Sequence, residues 1–277
     1  MADTAYQTQY RDEFIAGFEK RSSLARRTCI TEADINGNEA IFLVADSGGA
    51  TAVTRGVNGD IPTRPDNLTQ NTATLAEWHD IPERTNFNLF ASQGDGKRIM
   101  QETSMSVINR KIDKDIHAAL DAATVAWDGS AQVATLSLIT IAYTKLGNAF
   151  ALGDAPVYAL ITPAFRGHMI QLDAFSSADY IDSKPFEGVN KNLAFAWYGV
   201  NWIIDGALDG VGTSSAKCFM YSQNAIGHAM DSERLQTEVG YDAKNDKSWA
   251  RCSTYMGSKL LQNAGVVEMT HDDSQLS

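Results

Sequence analysis

Residues able to face a core return every three or four positions between Ile99 and Leu120: Ile99, Thr103, Val107 or Ile108, Ile112, Ile116 and Leu120. That spacing predicts one helix over about 97–123, with Asp95 as its N-cap. At 1.5 Å per residue it is roughly 40 Å long, several times the usual three turns. Arg98 with Glu102, and Lys111 with Asp115, place opposite charges four apart on it. A second apolar stripe, Leu136, Ile139, Tyr143, Leu146 and Phe150, predicts a helix from Thr135 to Leu152, with Gly153 at its C′ position. Thr162-Pro163 is an N-cap followed by proline at N1, so a third helix starts there and ends near Leu172. Near the N-terminus, Phe14 and Phe18 stand one turn apart in a charged setting, which predicts an amphipathic helix from Tyr10 to Arg27.

Elsewhere the pattern is that of strands. Asn36-Gly37 is a two-residue turn signal, and Glu39 to Ala45 follows it as a strand. From Ala50 to Gln70 the chain is polar, punctuated by Gly56, Gly59, Pro62 and Pro65, with almost nothing to bury. Such a stretch is foreign to a compact domain and reads as an extended hairpin arm, within about Asp46 to Glu77, that packs on something else. Thr74 to Ile81 resumes a strand that Pro82 ends. Later strands are expected at Val157–Ile161, Leu193–Ile204, Lys217–Tyr221, Leu235–Tyr241, Trp249–Tyr255 and Val266–Met269. A polar loop covers Ser176 to Asn192, a short helix is expected at Asn224–Met230, and the tail from His271 to Ser277 is expected to fray. No internal repeat is visible.

Composition narrows the function classes. A chain of 277 residues with 44% hydrophobic positions can build a substantial core without staples. Its formal charge of −11 argues against a dedicated nucleic-acid binder and against adhesion to an anionic membrane. The least polar stretch, Val133 to Tyr143, is too short to span a bilayer. The first residues carry no basic and apolar leader pattern, so no signal peptide is expected and the Asn67-Leu68-Thr69 sequon is read as chance. Cys29, Cys218 and Cys252 are an odd, dispersed set and are expected to be reduced thiols rather than a disulfide framework or a metal site. Lys20, Arg21, Arg26 and Arg27 form the one basic cluster. It reads as a solvated helix face or, in a sharper reading, as an arm touching an acidic partner or packaged nucleic acid.

A search for chemistry returns little. Gly94-Asp95-Gly96-Lys97 has the wrong spacing for a phosphate loop, and Ser214-Ser215-Ala216-Lys217 lacks the partner motifs of a serine nucleophile. His79, His117, His168, His228 and His271 are scattered, and Asp272-Asp273 reads as a solvated acidic tail. No catalytic, cofactor-binding or metal residue is assigned. A site built only by tertiary proximity is the remaining enzymatic alternative.

The order of elements carries a resemblance: an N-terminal helical arm, a long core-poor hairpin, a long isolated helix, then a mixed α/β lobe. Tyr221 to Ala229 looks like a strand leading into a short helix. Glu238-Val239, Ser248-Trp249, Tyr255 to Leu261 and Gly265 to Val267 follow as a closing pattern, and Val157 to Leu172 fits the lobe. In these respects the chain resembles the major capsid proteins of tailed bacteriophages, with the Hong Kong 97-type capsid fold.

The resemblance implies an α+β fold with an N-terminal arm over 1–28. The extended hairpin and peripheral domain with the spine helix (97–123) would occupy 29–134. A mainly axial domain would cover 135–265, and a C-terminal strand and tail 266–277. It implies a non-enzymatic shell subunit without cofactors, forming hexamers and pentamers of an icosahedral head that encloses double-stranded DNA without sequence-specific binding. Scaffolding, portal and cement proteins are the implied partners, with no membrane. The missing N-terminal scaffold extension implies a separate scaffolding protein or none. The head would assemble in the bacterial host cytoplasm. Arg55, Arg64, Asp66 and Glu77 are the expected intersubunit contacts of the hairpin. The family's prototype cross-links a hairpin lysine to a neighbour's asparagine, yet this chain has no lysine between Lys20 and Lys97. A non-covalent shell is therefore expected. An encapsulin-like nanocompartment shell and a soluble α/β enzyme are the alternatives.

Overall fold

The computed structural model describes residues 22–31, 34–47, 49–57, 59, 61–64, 67–86, 96–128, 132–153, 155–172, 194–231 and 236–276. In chain order the elements begin with β1 (Asp34–Asn36), β2 (Glu39–Asp46), β3 (Asn67–Thr74), β4 (Ala76–Asp80), β5 (Glu83–Thr85), α1 (Gly96–Asp121) and β6 (Ala126–Asp128). They continue with α2 (Leu136–Asn148), β7 (Val157–Ile161), α3 (Pro163–Ile170), β8 (Ala194–Trp197), β9 (Val200–Ile204) and β10 (Ala216–Ser222). β11 (Ile226–Met230), β12 (Gln236–Asp242), β13 (Lys247–Leu260) and β14 (Val266–His271) close the chain. No helix among the described residues is long and apolar enough to cross a membrane.

The chain divides into two compact units. One comprises Ala76–Asp113 and Met230–Met256 with the described residues up to Leu24; the other comprises Ala25–Leu75, Lys114–Ala229 and the chain from Gly257. In the first unit, β13 is flanked by antiparallel β12 on one side and by β4 and β5 on the other. The N-terminal part of α1 buries Met100, Ile108 and Ile112 there. Ser104 donates to the carbonyl of Asp80 at 3.3 Å, and Lys111 Nζ lies 3.7 Å from the centre of the Trp78 ring. The predicted Arg98–Glu102 pair forms at 3.2 Å.

The second unit is built on a six-stranded mixed sheet in the order β6-β14-β10-β7-β9-β8. β7 pairs parallel with β9 and antiparallel with β10, so the central strands are buried and almost wholly apolar. Trp202, Tyr221, Phe165, Phe219, Leu160 and Ile161 are among its fully buried side chains. Trp202 stacks near Phe165 and Phe195 and donates its indole N–H to the Trp197 carbonyl at 2.9 Å, which satisfies its polar atom. Thr162 caps α3 as expected, accepting from the Phe165 amide at 3.1 Å, with Pro163 at the first helical turn.

Several expectations are corrected. Asn36 pairs with Glu39, so the tight turn is Gly37-Asn38, with Gly37 at φ 63°. The hairpin arm begins with β2 itself and runs from Glu39 to Thr74, and Glu77 lies in the next strand. Residues 226–230 form a strand, preceded by a single 3-10 turn at Gln223–Ala225, not a helix. The Ile30 amide donates to the Ile226 carbonyl and the His228 amide to the Ile30 carbonyl, and this pairing outweighs the local helical preference. Leu193–Ile204 is split into a hairpin by Tyr198-Gly199, both with positive φ, the turn geometry that matches strand twist. α2 stops at Asn148 and Phe150, not Gly153, takes the left-handed position after it. Of the helix expected over Tyr10 to Arg27, the described residues show only a 3-10 turn at Ala25–Thr28, with residues 22–24 outside any helix; the part before Ser22, with Lys20 and Arg21, lies outside the described residues. So do Asp95 and the loop from Ser176 to Asn192.

Residues His271 to Asp273, expected to fray, are held in place. His271, Asp272 and Asp273 are buried, held by the Asp272 amide on the Gln132 carbonyl (2.8 Å) and the Asp273 amide on the Thr213 carbonyl (2.9 Å). The Asp273 carboxylate accepts from Thr162 Oγ1 at 2.8 Å, at the N-terminus of α3, where negative charge is favoured. A carboxylate so placed is no longer a solvated tail.

Candidate functional site

Hidden chemistry would sit in the polar clusters inside the fold. In the second unit, His228 Nδ1 is 2.9 Å from Ser258 Oγ, and Ser258 donates to Asp115 at 2.9 Å. The serine stands between imidazole and carboxylate, so its proton is committed to the acid and not to the imidazole that would have to serve as a nucleophile's base. His271 Nε2 and Asp273 Oδ1 are 2.5 Å apart, with Thr162 as third member. Burial holds the His271 imidazole below its ordinary value, against the pull of Asp273, so it is uncharged near neutrality. Burial also drives the neighbouring Cys218 thiol far up, which leaves no thiolate. All three cysteines are free and buried. His117 and Asp205 pair at 3.3 Å, both buried. His117, Asp205, His271 and Asp273 are buried, whereas Ser258 and Asp115 are only partly so. Among the described residues no group of His, Cys, Asp and Glu is arranged to hold a metal ion.

The surface carries the more informative features. β2 and β3 pair in full register, from Glu39 opposite Thr74 to Asp46 opposite Asn67. One face of the root is buried: Ala40, Phe42 and Ala73 form a cluster with Ala229, against which Ile30, Leu75 and Leu261 pack. Two glycines make that seat possible. A Cβ on Gly227 would fall 2.7 Å from the Phe42 ring, and one on Gly257 would fall 2.4 Å from the Thr74 carbonyl oxygen. Among the described residues of the arm beyond the root, none is buried. Leu43 and Leu68 occupy diagonal positions on the opposite face, and both are exposed, as are Val53, Val57 and Ile61 in the connection.

The residues expected to make intersubunit contacts fall in different places. Arg55 and Arg64 are both exposed in the connection, and Arg64 Nη1 donates to the Ser47 carbonyl at 3.0 Å, tying the two ends of the loop together. Asp66 lies outside the described residues. Glu77 is in β4, where it meets His79 at 2.8 Å and accepts from Tyr255 at 3.1 Å. Phe150, expected on the apolar stripe of α2, and Tyr198 are instead large aromatics held exposed on left-handed backbone. No pattern in the sequence marks either as exposed.

A family model described as phage capsid protein matches residues 2–273. No curated protein matches. Among solved structures, one titled Mycobacterium phage Che8 superposes with a TM-score of 0.76 at 14% identity, covering 97% of this chain and 98% of that one. The capsid of a native GTA particle gives 0.73 at 10% identity, with 97% and 96% covered. The capsid of cyanophage P-SCSP1u gives 0.69 at 11% identity, with 96% and 93% covered. The mixed helix and sheet architecture is thus that of the Hong Kong 97-like capsid proteins.

Proposed function

We propose, from the premise that this chain belongs to the phage capsid protein family and is a major capsid protein of the virion, that it closes into an icosahedral head of hexamers and pentamers around double-stranded DNA. The observation that carries the reading is the family match over nearly the whole chain, together with capsid neighbours that are covered almost end to end. The role is structural. Enclosure needs no grip on DNA sequence, which suits a chain of net charge −11.

The arm gives the shell its reach. A hairpin whose root is buried and whose outer face carries exposed leucines gains only when a second surface covers it. In this reading it lies over a neighbouring subunit, with Arg55, Arg64 and Asp66 supplying polar contacts and Glu77 receiving or bracing the contact from β4. Scaffolding, portal and cement proteins complete the particle, which assembles in the host cytoplasm. Repeated identical contacts close by symmetry, so particles of one size are expected. Electron microscopy of the purified protein, alone and with a scaffolding protein, tests this. Hollow closed particles are the expected result, and a strictly monomeric species at high concentration overturns it.

A further inference from the structure

Three described residues other than glycine hold left-handed backbone: Phe150 (φ 56°), Tyr198 (φ 55°) and Asp246 (φ 50°). Asp246 is accounted for locally, because its carboxylate accepts from Tyr241 at 2.7 Å and from Asn86 at 2.9 Å, and short polar side chains tolerate this region. The two aromatics are not accounted for in that way. Phe150 sits at the C′ position of α2, where its amide donates to Gly147 and the next amide donates to Leu146, both at 3.0 Å. Glycine is the residue this motif normally carries, because a Cβ there is strained. Phe150 is also 91% exposed, so the strain secures no packing within the chain. Tyr198 repeats the combination at the β8–β9 turn, half-exposed, its ring 5.0 Å from Tyr143 of α2 in an edge-to-face contact. β8, which enters that turn, is the last of the described strands in its sheet, and an open sheet edge is a natural place for another chain to approach.

We propose that Phe150, seconded by Tyr198, is an aromatic knob that seats on a second copy of this chain in the assembled shell. This rests on the capsid reading above. An exposed phenylalanine offers roughly 200 Å², well below the roughly 800 Å² per partner that a stable pairwise complex needs. Free subunits therefore do not pair through it. It acts once other lattice contacts have brought a second copy alongside, which also keeps it from causing premature aggregation. Tyr143, Phe150 and Tyr198 carry no formal charge, which suits self-contact in a chain whose net charge of −11 makes copies repel.

The test compares wild type with Phe150→Gly and Phe150→Asn, both of which accept the left-handed backbone. Melting of the unassembled subunit and the critical concentration for particle formation are measured side by side. Both variants should melt no lower than wild type, while the critical concentration rises about tenfold or more. Assembly at the wild-type concentration overturns the contact, and so does a lower melting temperature that accounts for the assembly defect. A loss confined to binding of an added cement protein would move the knob to that other partner and overturn the self-contact. Wild type that forms no particles at all sinks the capsid reading, and this contact with it.

Discussion

The indole of Trp249 occupies the space where a side chain at Gly240 would stand. The two residues are directly opposed in the β12–β13 pair, and a Cβ built on Gly240 would lie 2.2 Å from Trp249 Cζ2. The missing side chain on one strand is what lets the ring on the other lie across the sheet. Gly240→Ala should therefore displace the ring and destabilise the subunit by about 1–3 kcal/mol. A double-mutant cycle with Trp249→Ala should show coupling of at least about 0.5 kcal/mol, as touching residues do. Strict additivity would mean that the ring moves aside freely.

Deleting Gly56 to Asn67 should spare the subunit and disable the shell. The described residues of that segment between Gly56 and Arg64 are exposed and lie beyond the Phe42 root cluster. The shortened protein should melt within a few degrees of wild type, with no stable particles by sedimentation or microscopy. If it unfolds instead, the segment is core and the arm is misplaced.

The C-terminal residues should be needed for folding. Asp273→Ala removes the acceptor for both Thr162 and His271 in a buried site, and each buried donor left unsatisfied costs about 1–3 kcal/mol. Truncation after Thr270 should be at least as damaging. The pH dependence follows from His271, whose folded value lies below 6.5 because of burial. Below pH 6.5 the unfolded chain binds a proton that the folded chain resists, so stability falls as pH drops from there. Replacing His271 with Gln should flatten that part of the urea-midpoint profile. An unchanged profile would place the acid sensitivity elsewhere.

The particle should be non-covalent. No lysine lies between Lys20 and Lys97, a span that holds the whole arm, and arginine stays protonated and is a poor nucleophile at neutral pH. Particles boiled in detergent should give one band near 30.1 kDa. A ladder of multimers that resists reducing agent would show a cross-link made from another segment.

What the sequence disclosed was local. Thr162-Pro163, the strand before it and the stripe of α1 from Ile108 to Leu120 are decided by neighbours within a few positions and read correctly, whereas in the first turns of α1 Met100 and Ser104 are buried and the expected Thr103 is exposed. Residues 226–230 misread because their partner is Ile30, far away in the chain. Asp272 and Asp273 misread because a charged pair looks solvated until Thr162 and the start of α3 are brought beside it. The arm's polar connection was legible from its lack of anything to bury, but its first strand was not. Glu39–Asp46 has the apolar content of a core strand, while only the root of one face is buried. Of the expected contact residues, Arg55 and Arg64 lie on the arm, whereas Glu77 was drawn into it by a strand boundary at Leu75. Phe150 was read as the last apolar position of a helix stripe, and nothing in that spacing signals that the backbone reverses hand there.

The two glycines beneath the arm also set its aim. Each strand of the hairpin has eight residues, so its far end stands about 26 Å from its root. A root rotation of about 5° would swing that end by about 2 Å, enough to lose a hydrogen bond. Phe42 against Gly227 and the Thr74 carbonyl against Gly257 act as the bearing of a lever. A methyl group added at either glycine would be read out as misalignment at the far end of the arm, about 26 Å away.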